Sequence, residues 1–574
     1  MVARIKTILA FVLAIAFLTS GSRGQEPLFE PWQFARLMKS EPFGPWWWVF
    51  WQRAYPLGYI PEGAELRAFR QIEQWKAAHR ADVSFALAQE ENRWISIGPA
   101  PILGGQVGAR GNARPMSGRV TAVAVDPGNP ARWLVGGAQG GVWQTRDAGT
   151  SWEPLTDDQP ALAIGAIAFA PSDPHIIYVG TGTAVFAASS FAGAGLLKST
   201  DGGTTWQLVA PSALARVSFS DIKVDPLDAN RLTIATAIGI AGRGRDRPPQ
   251  IPPTGIMTST DGGLTWTVRL SGLATDVEID PRTFQRQFAA LGSPFGSSAN
   301  GLYRSTDAGQ TWTQINGPWK EIRGGVGRIE LALAPSDPNT LYISVQDAVD
   351  GVRADGGLLG LWRTSNAWDE KPTWTAIGVE ATDDGSGLHG YCGWDPAFRT
   401  ASDQCWFDHE LSVDPSNPDI LYAGGIPLWK YDGVRWTEVS KTVGDPLRGI
   451  HVDQHAMAWA GRRLIVGNDG GVWSTEDGGE TWEHHNTTLA ITQFYEGSIH
   501  PDGVLALAGS QDNGTEVWQG DMAWRWIRGG DGADTAISST RPDTDWALSG
   551  QNLALRRTRD AARTITVADS GIDK

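Results

Sequence analysis

The sequence predicts an all-β protein: a β-propeller of about nine four-stranded blades, eight to ten, behind a short helical extension. Three observations predict it. One eight-residue phrase recurs five times, Asp-Pro turns punctuate the intervals, and short apolar runs fill each interval in fours. The 574 residues include 69 Gly and 34 Pro, which suits many short strands joined by tight turns.

The phrase reads Thr145-Arg146-Asp147-Ala148-Gly149-Thr150-Ser151-Trp152 at its first occurrence. It returns with Asp201 and Trp206, Asp261 and Trp266, Asp307 and Trp312, and Asp477 and Trp482. Internal repetition at such periods marks solenoids, propellers or arrays. In each copy the Asp is placed to accept backbone N–H groups of its own turn. The Gly two residues later supplies a positive φ, and the Trp anchors the following strand. The reading is structural: these Asp residues close turns and do no chemistry. Weaker copies fill the gaps around Asn366, Asp432 and Asp521, and a last one reads Thr558-Arg559-Asp560.

Asp-Pro turns occur at Asp126, Asp173, Asp225, Asp280, Asp337 and Asp414. Each separates two apolar runs, so a unit holds four strands, which is one propeller blade. The count of about nine leaves two arrangements open. Trp94–Ile97 could complete the last blade, yet Thr564 to Val567 already offers it an outer strand, so either the count is off by one or the chain stops short of a longer second propeller.

The phrase resembles the Asp-box, or BNR repeat, of sialidase-like propellers. The same repeat is similar to those of sortilin-type receptors, xyloglucanases of glycoside hydrolase family 74 and photosystem assembly factors. The resemblance covers roughly residues 94–574 and implies boxes at the propeller periphery, away from any ligand. Gln52-Arg53-Ala54-Tyr55-Pro56, Gly467-Asn468-Asp469-Gly470-Gly471, Gln511-Asp512-Asn513-Gly514 and Gly529-Gly530-Asp531-Gly532 also resemble strings of exported bacterial Asp-box proteins without a defined activity. Departures are equally plain. The Arg-Ile-Pro string of sialidases is absent, the N-terminal acidic string of family 74 is not recognisable, and no Gly-x-Ser-x-Gly elbow occurs.

Three domains are expected: a signal peptide at 1–24, an aromatic and helical extension at 25–93, and the propeller at 94–574. Arg4 and Lys6 precede the apolar run Ile8 to Leu18, which is too short to cross a bilayer. A secreted, periplasmic or cell-surface protein follows, without a membrane span once the signal is removed. The aromatic cluster from Trp46 to Trp51 reads as a hydrophobic strap, a sugar-stacking surface or a partner surface, and Glu62 to Gln89 as an amphipathic helix through Leu66, Phe69 and Ile72. A net charge of −15 argues against nucleic acid as a partner. The two cysteines, Cys392 and Cys405, are expected to pair in an exported protein.

Chemistry is expected where the second half departs from the apolar repeat. Asp408, Asp453, Asp469, Asp512 and Asp531 fall at strand ends and are expected to ring one end of a central channel. At most two would serve as the carboxylate pair of a glycoside hydrolase. His451, His455, Asn468, Gln511 and Asn513 are the candidate ligand-binding groups beside them. No cofactor is implied, although His451, Asp453 and His455 offer an H-x-D-x-H set for a divalent metal if all three face one side. Two functions follow from different classes: an axial face that binds glycan or protein without catalysis, or a glycoside hydrolase of sialidase or xyloglucanase type.

Overall fold

A computed structural model describes residues 64–79, 95–107, 110–111, 114–186, 190–239, 252–320, 325–349, 356–378, 390–393, 404–441, 448–551 and 554–571. The expected signal peptide, the Trp46–Trp48 cluster and Trp94 lie outside them. Within them the chain is nearly all β, and nine antiparallel meanders follow one another, each of four strands.

The first meander shows the plan. Its innermost strand is Val120–Asp126, followed by Asn129–Gly137, Val142–Thr145 and Glu153–Pro154. The innermost strands of the next eight are Ile164–Ala170, Ser218–Asp225, Ala274–Asp280, Val326–Leu333, Glu410–Val413, Gln454–Ala460, Phe494–Ile499 and Gly532–Ile537. Small residues let the sheets meet. A methyl group at Gly180 would fall 2.2 Å from the ring of Phe219 on the next sheet, so nothing larger than Gly fits.

The ring closes after the seventh sheet. The innermost strand of each sheet packs on the next, and that of the seventh packs back on the first. Val120, Trp133 and Val135 of the first sheet share one buried cluster with Ile465 and Val472 of the seventh and with Leu489 and Ile491 just after it. The Ser117 N–H donates to the Gly470 carbonyl at 2.9 Å. The Ser117 hydroxyl donates to the Leu489 carbonyl at 2.6 Å. The eighth and ninth sheets pack on each other through their inner strands, outside this ring. All nine sheets are therefore present, and the single nine-membered ring gives way to seven plus two. The reason is steric: the first and seventh sheets already bury each other's apolar faces.

The two outer sheets are tied back by the segment that precedes the ring. Ile102–Leu103 adds in parallel to Trp524–Arg528 as a fifth strand of the eighth sheet. The Trp524 indole donates to the Ile97 carbonyl at 2.7 Å. Residues 95–97 therefore complete no blade, and Thr566–Val567 is the outer strand of the ninth sheet.

Each recurring phrase is the turn between the third and fourth strands. At the second copy the Ser199 hydroxyl donates to Asp201 Oδ1, which also accepts the Thr205 N–H at 2.9 Å. The Thr205 hydroxyl donates to Oδ2 at 2.6 Å. Six turns repeat this pattern, including the degenerate one at Asp560. Hydrogen bonds from Ser151 and from Thr205 favour the ionised forms of Asp147 and Asp201, which are lowered to about 2. At Asp477 burial opposes the shift, yet the bonds from Thr481 outweigh it and the value is again about 2. The Asp-Pro turns join the first and second strands at the same end of each sheet. Asp126 caps its own turn and pairs with Arg132 at 3.0 Å.

Cys392 and Cys405 form a disulfide in the buried cluster between the fifth and sixth sheets. A helix runs over Ala64–Ala78 within the expected segment, whose residues 62–63 and 80–89 lie outside the described ones. Leu66 and Phe69 are half-buried, while Ile72 and Trp75 stay exposed. No helix among the described residues is long and apolar enough to cross a membrane.

Candidate functional site

In a four-stranded meander the turns alternate between two ends. Turns after the first and third strands carry the Asp-Pro and Asp-Gly phrases. The opposite end carries the turns after the second strand and the links between sheets. Asp469 and Asp512 occupy second-strand turns, and Asp408, Asp453 and Asp531 occupy links. All five candidate acids thus lie at the end away from the recurring turns.

They converge where the seventh sheet meets the two extra ones. Asp453, Asp469 and Asp512 each bring a carboxylate oxygen within 4.8 Å of the others. The Asp512 N–H donates to Asp531 Oδ1 at 2.8 Å, and the Gln551 amide donates to Asp531 Oδ2 at 2.5 Å. Asp408 is completely buried, and neither of its carboxylate oxygens has a hydrogen-bond partner.

Asp469 is the fixed member. Its Oδ1 lies 3.3 Å from Arg119 Nε and 2.7 Å from His455 Nε2. Arg119 also stacks on the Phe407 ring, 5.0 Å from its centroid, and donates to Gln493 at 3.3 Å. Burial, then Arg119, pushes His455 well below the ordinary imidazole range, so it is neutral. Burial also raises the other acids. Asp512 is pushed up to about 7 by burial and by Asp469. Asp453 and Asp531 are raised well above the carboxylate range, by burial first and then by Asp408 and Asp512 respectively. Like charges this close do not all ionise together.

The five acids divide by exposure. Asp408, Asp453 and Asp469 are buried. Asp512 and Asp531 retain solvent contact although protein surrounds most of each, which places them in a recess. The Tyr495 hydroxyl bonds to Gln511 beside them, so an aromatic ring adjoins the pair.

The other candidates hold the strand ends together. Asn468 is fully buried. It donates to the His451 carbonyl at 3.0 Å and accepts from the Gly470 N–H and the Trp473 indole. Asn513 donates to the Asp469 carbonyl at 2.8 Å, and Gln511 donates to Asp512 at 2.6 Å. The H-x-D-x-H set does not face one side. Asp453 has a φ of 64°, and the strand begins only at Gln454, so alternation does not extend across the three. The His451 ring nitrogens lie 3.0 Å and 3.2 Å from the Val452 and Asp512 carbonyls, and His455 turns to Asp469.

Sequence reasoning missed Arg119 and a second charged group. Asp221 and Lys223, Asp276 and Glu278, Arg328 and Glu330, and Glu410 lie on four successive inner strands, the pairs at alternate positions. Lys223 Nζ lies 3.1 Å from Asp221 and 3.7 Å from Glu278, and Arg328 lies 3.5 Å from Glu330. Burial raises Glu278 to about 7 and Glu410 to about 8. The signal was legible: charged residues at period two within apolar strands point toward the axis. The shallow depression beside Trp482 and His484 lies at the end of the recurring turns and holds none of the five acids.

No family model matches the chain. A xyloglucanase of Paenibacillus sp is 25% identical over 364 residues, covering 56% of this chain and 31% of that protein. Xyloglucanase Xgh74A of Acetivibrio thermocellus is 23% identical over 363 residues, 56% of this chain and 38% of its own. The chain therefore spans about a third of the length of the curated relatives it matches. Among solved structures, the GH74 enzyme of Niastella koreensis superposes with a TM-score of 0.55 at 20% identity, over 82% of this chain and 68% of that one. The GH74 xyloglucanase of Xanthomonas campestris gives 0.55 at 18% identity, over 83% and 68%. The fold is that of the GH74 propellers.

Proposed function

We propose that this protein is an exported glycoside hydrolase acting on a polysaccharide of the xyloglucan type, with Asp512 and Asp531 as its carboxylate pair. One observation carries the reading: of five converging acids, these two are the least buried. Hydrolysis of a glycosidic bond needs two carboxyl groups that reach the sugar, one giving a proton and one acting as base or nucleophile. Asp531, raised well above the ordinary range, is the proton donor. Asp512 is the partner that ionises near neutral pH. The xyloglucanase matches support the substrate class. The self-bonded Asp turns support the Asp-box resemblance, and residues 1–24 are the export signal under this reading.

The test is a hydrolysis screen on xyloglucan and other polysaccharides with the full chain. Asp512→Asn and Asp531→Asn should each lower kcat by at least about a hundredfold, the scale of a lost general acid or base, while Asp531→Asn keeps the wild-type melting temperature. A folded wild type that releases no product from any glycan defeats the proposal. A second reading, glycan binding without catalysis, is favoured by the burial of Asp408 and Asp469 and by the close acid spacing. It predicts a positive glycan array with no product.

A further inference from the structure

Three buried carboxylates remain that no sugar can touch. Asp408, Asp453 and Asp469 are held at strand ends with Asp512 beside them, and among the described residues the cations close to them are few. Arg119 meets Asp469 Oδ1 and leaves Oδ2 without a hydrogen-bond partner. Both oxygens of Asp408 and the side-chain oxygen of Asn513 are likewise buried and unpartnered. Leaving a buried polar atom without a partner costs about 1–3 kcal/mol, and more for a charged one. Four unpaired acceptor oxygens in one neighbourhood are therefore a feature that something must offset.

We propose that Asp453, Asp469 and Asp512 bind a divalent cation of the calcium class, with the unpartnered side-chain oxygens of Asp408 and Asn513 nearby. The donor set is all oxygen, which selects hard cations over zinc or copper. Calcium takes oxygens at about 2.3–2.6 Å, so two ligands across it stand roughly 4.6–5.2 Å apart; across magnesium they stand about 4 Å apart. Oxygens of three of the acids already lie within 4.8 Å of one another. Three grouped carboxyls face the single Arg119 guanidinium, and a divalent ion would let all three ionise.

The ion would join ends that are distant in sequence. Asp453 and Asp469 belong to the seventh sheet, and Asp512 belongs to the eighth. It would pin the extra pair of sheets to the ring through Asp512, which the proposed hydrolysis also uses, and its binding needs no sugar. Binding is therefore measured without any glycan.

The experiment strips the full chain with EDTA and titrates it with CaCl2, and separately with MgCl2, by calorimetry and thermal melting. One calcium per chain is expected, with a melting temperature several degrees higher than in EDTA and a weaker response to magnesium. Asp453→Asn removes one ligand oxygen, so it should bind calcium at least tenfold more weakly and lose the calcium-dependent shift. No heat and no shift with millimolar calcium would overturn the proposal, as would an Asp453→Asn variant that responds like the wild type. Should that variant fail to fold, metal analysis of the dialysed wild type decides: one equivalent of calcium supports the site and none refutes it.

Discussion

Gly118→Ala tests where the ring closes. A methyl group built at Gly118 would stand 2.2 Å from the Ile491 carbonyl oxygen and 2.7 Å from the Thr492 Cα. Both obstacles are backbone, so no rotamer change relieves them. Gly118 leads into the first sheet and Ile491 leaves the seventh, so the clash exists only because those two sheets are neighbours. Overpacking of this kind costs about 1–3 kcal/mol, and rigid neighbours place it toward the upper end. Large domains lose roughly 2–4 °C per kcal/mol, so the melting temperature should fall by about 4–8 °C. Gly378→Ala is the control, because nothing lies within 4 Å of its added methyl group. The assay is thermal melting with urea unfolding as a check. A Gly118→Ala variant that melts with the wild type would refute seven-sheet closure, since a nine-membered ring keeps Gly118 away from Ile491.

Three further outcomes are expected. Stability should depend on pH in two directions. The turn carboxylates, lowered to about 2, contribute stability that is present above their ordinary pKa of 3.8 and lost as the pH falls toward 2. Glu278, raised from 4.5 to about 7, binds a proton in the folded state that the unfolded chain releases earlier, so stability declines as the pH rises from about 4.5 to 7. Melting curves across pH should show that decline, and Glu278→Gln should reduce it. Asp307→Ala should cost about 1–3 kcal/mol by leaving turn donors unpaired, with kcat/KM on any glycan substrate unchanged; lost activity at unchanged melting would contradict a structural role. Cys405→Ser opens a short disulfide loop and should cost about 3 kcal/mol, read as a lower midpoint in urea that reducing agent reproduces in the wild type.

The repeat was legible because each turn bonds to itself. Asp201, Ser199 and Thr205 form a closed set within one turn, so local sequence carries the whole geometry. The five acids were legible as interruptions of an apolar pattern. Ring closure was not, because it depends on which sheet faces the first, and Val120 gives no sign that Ile465 is its neighbour. Arg119 was passed over for a similar reason: its partners Asp469 and Phe407 lie far along the chain, on the other side of the ring's closure. The H-x-D-x-H reading failed on one backbone angle, the positive φ of Asp453, which no side-chain pattern reports. The axial charges at Asp276 and Glu278 were readable by the same period-two rule and needed only to be sought in the first half.

The position of a bound glycan is the most direct discriminator. A crystal structure with a xyloglucan oligosaccharide measures it. The sugar is expected over Asp512 and Asp531, at the end of the sheets opposite the recurring turns. An oligosaccharide found instead along the Asp201 and Asp261 turns, or in the depression beside Trp482, would contradict the assignment.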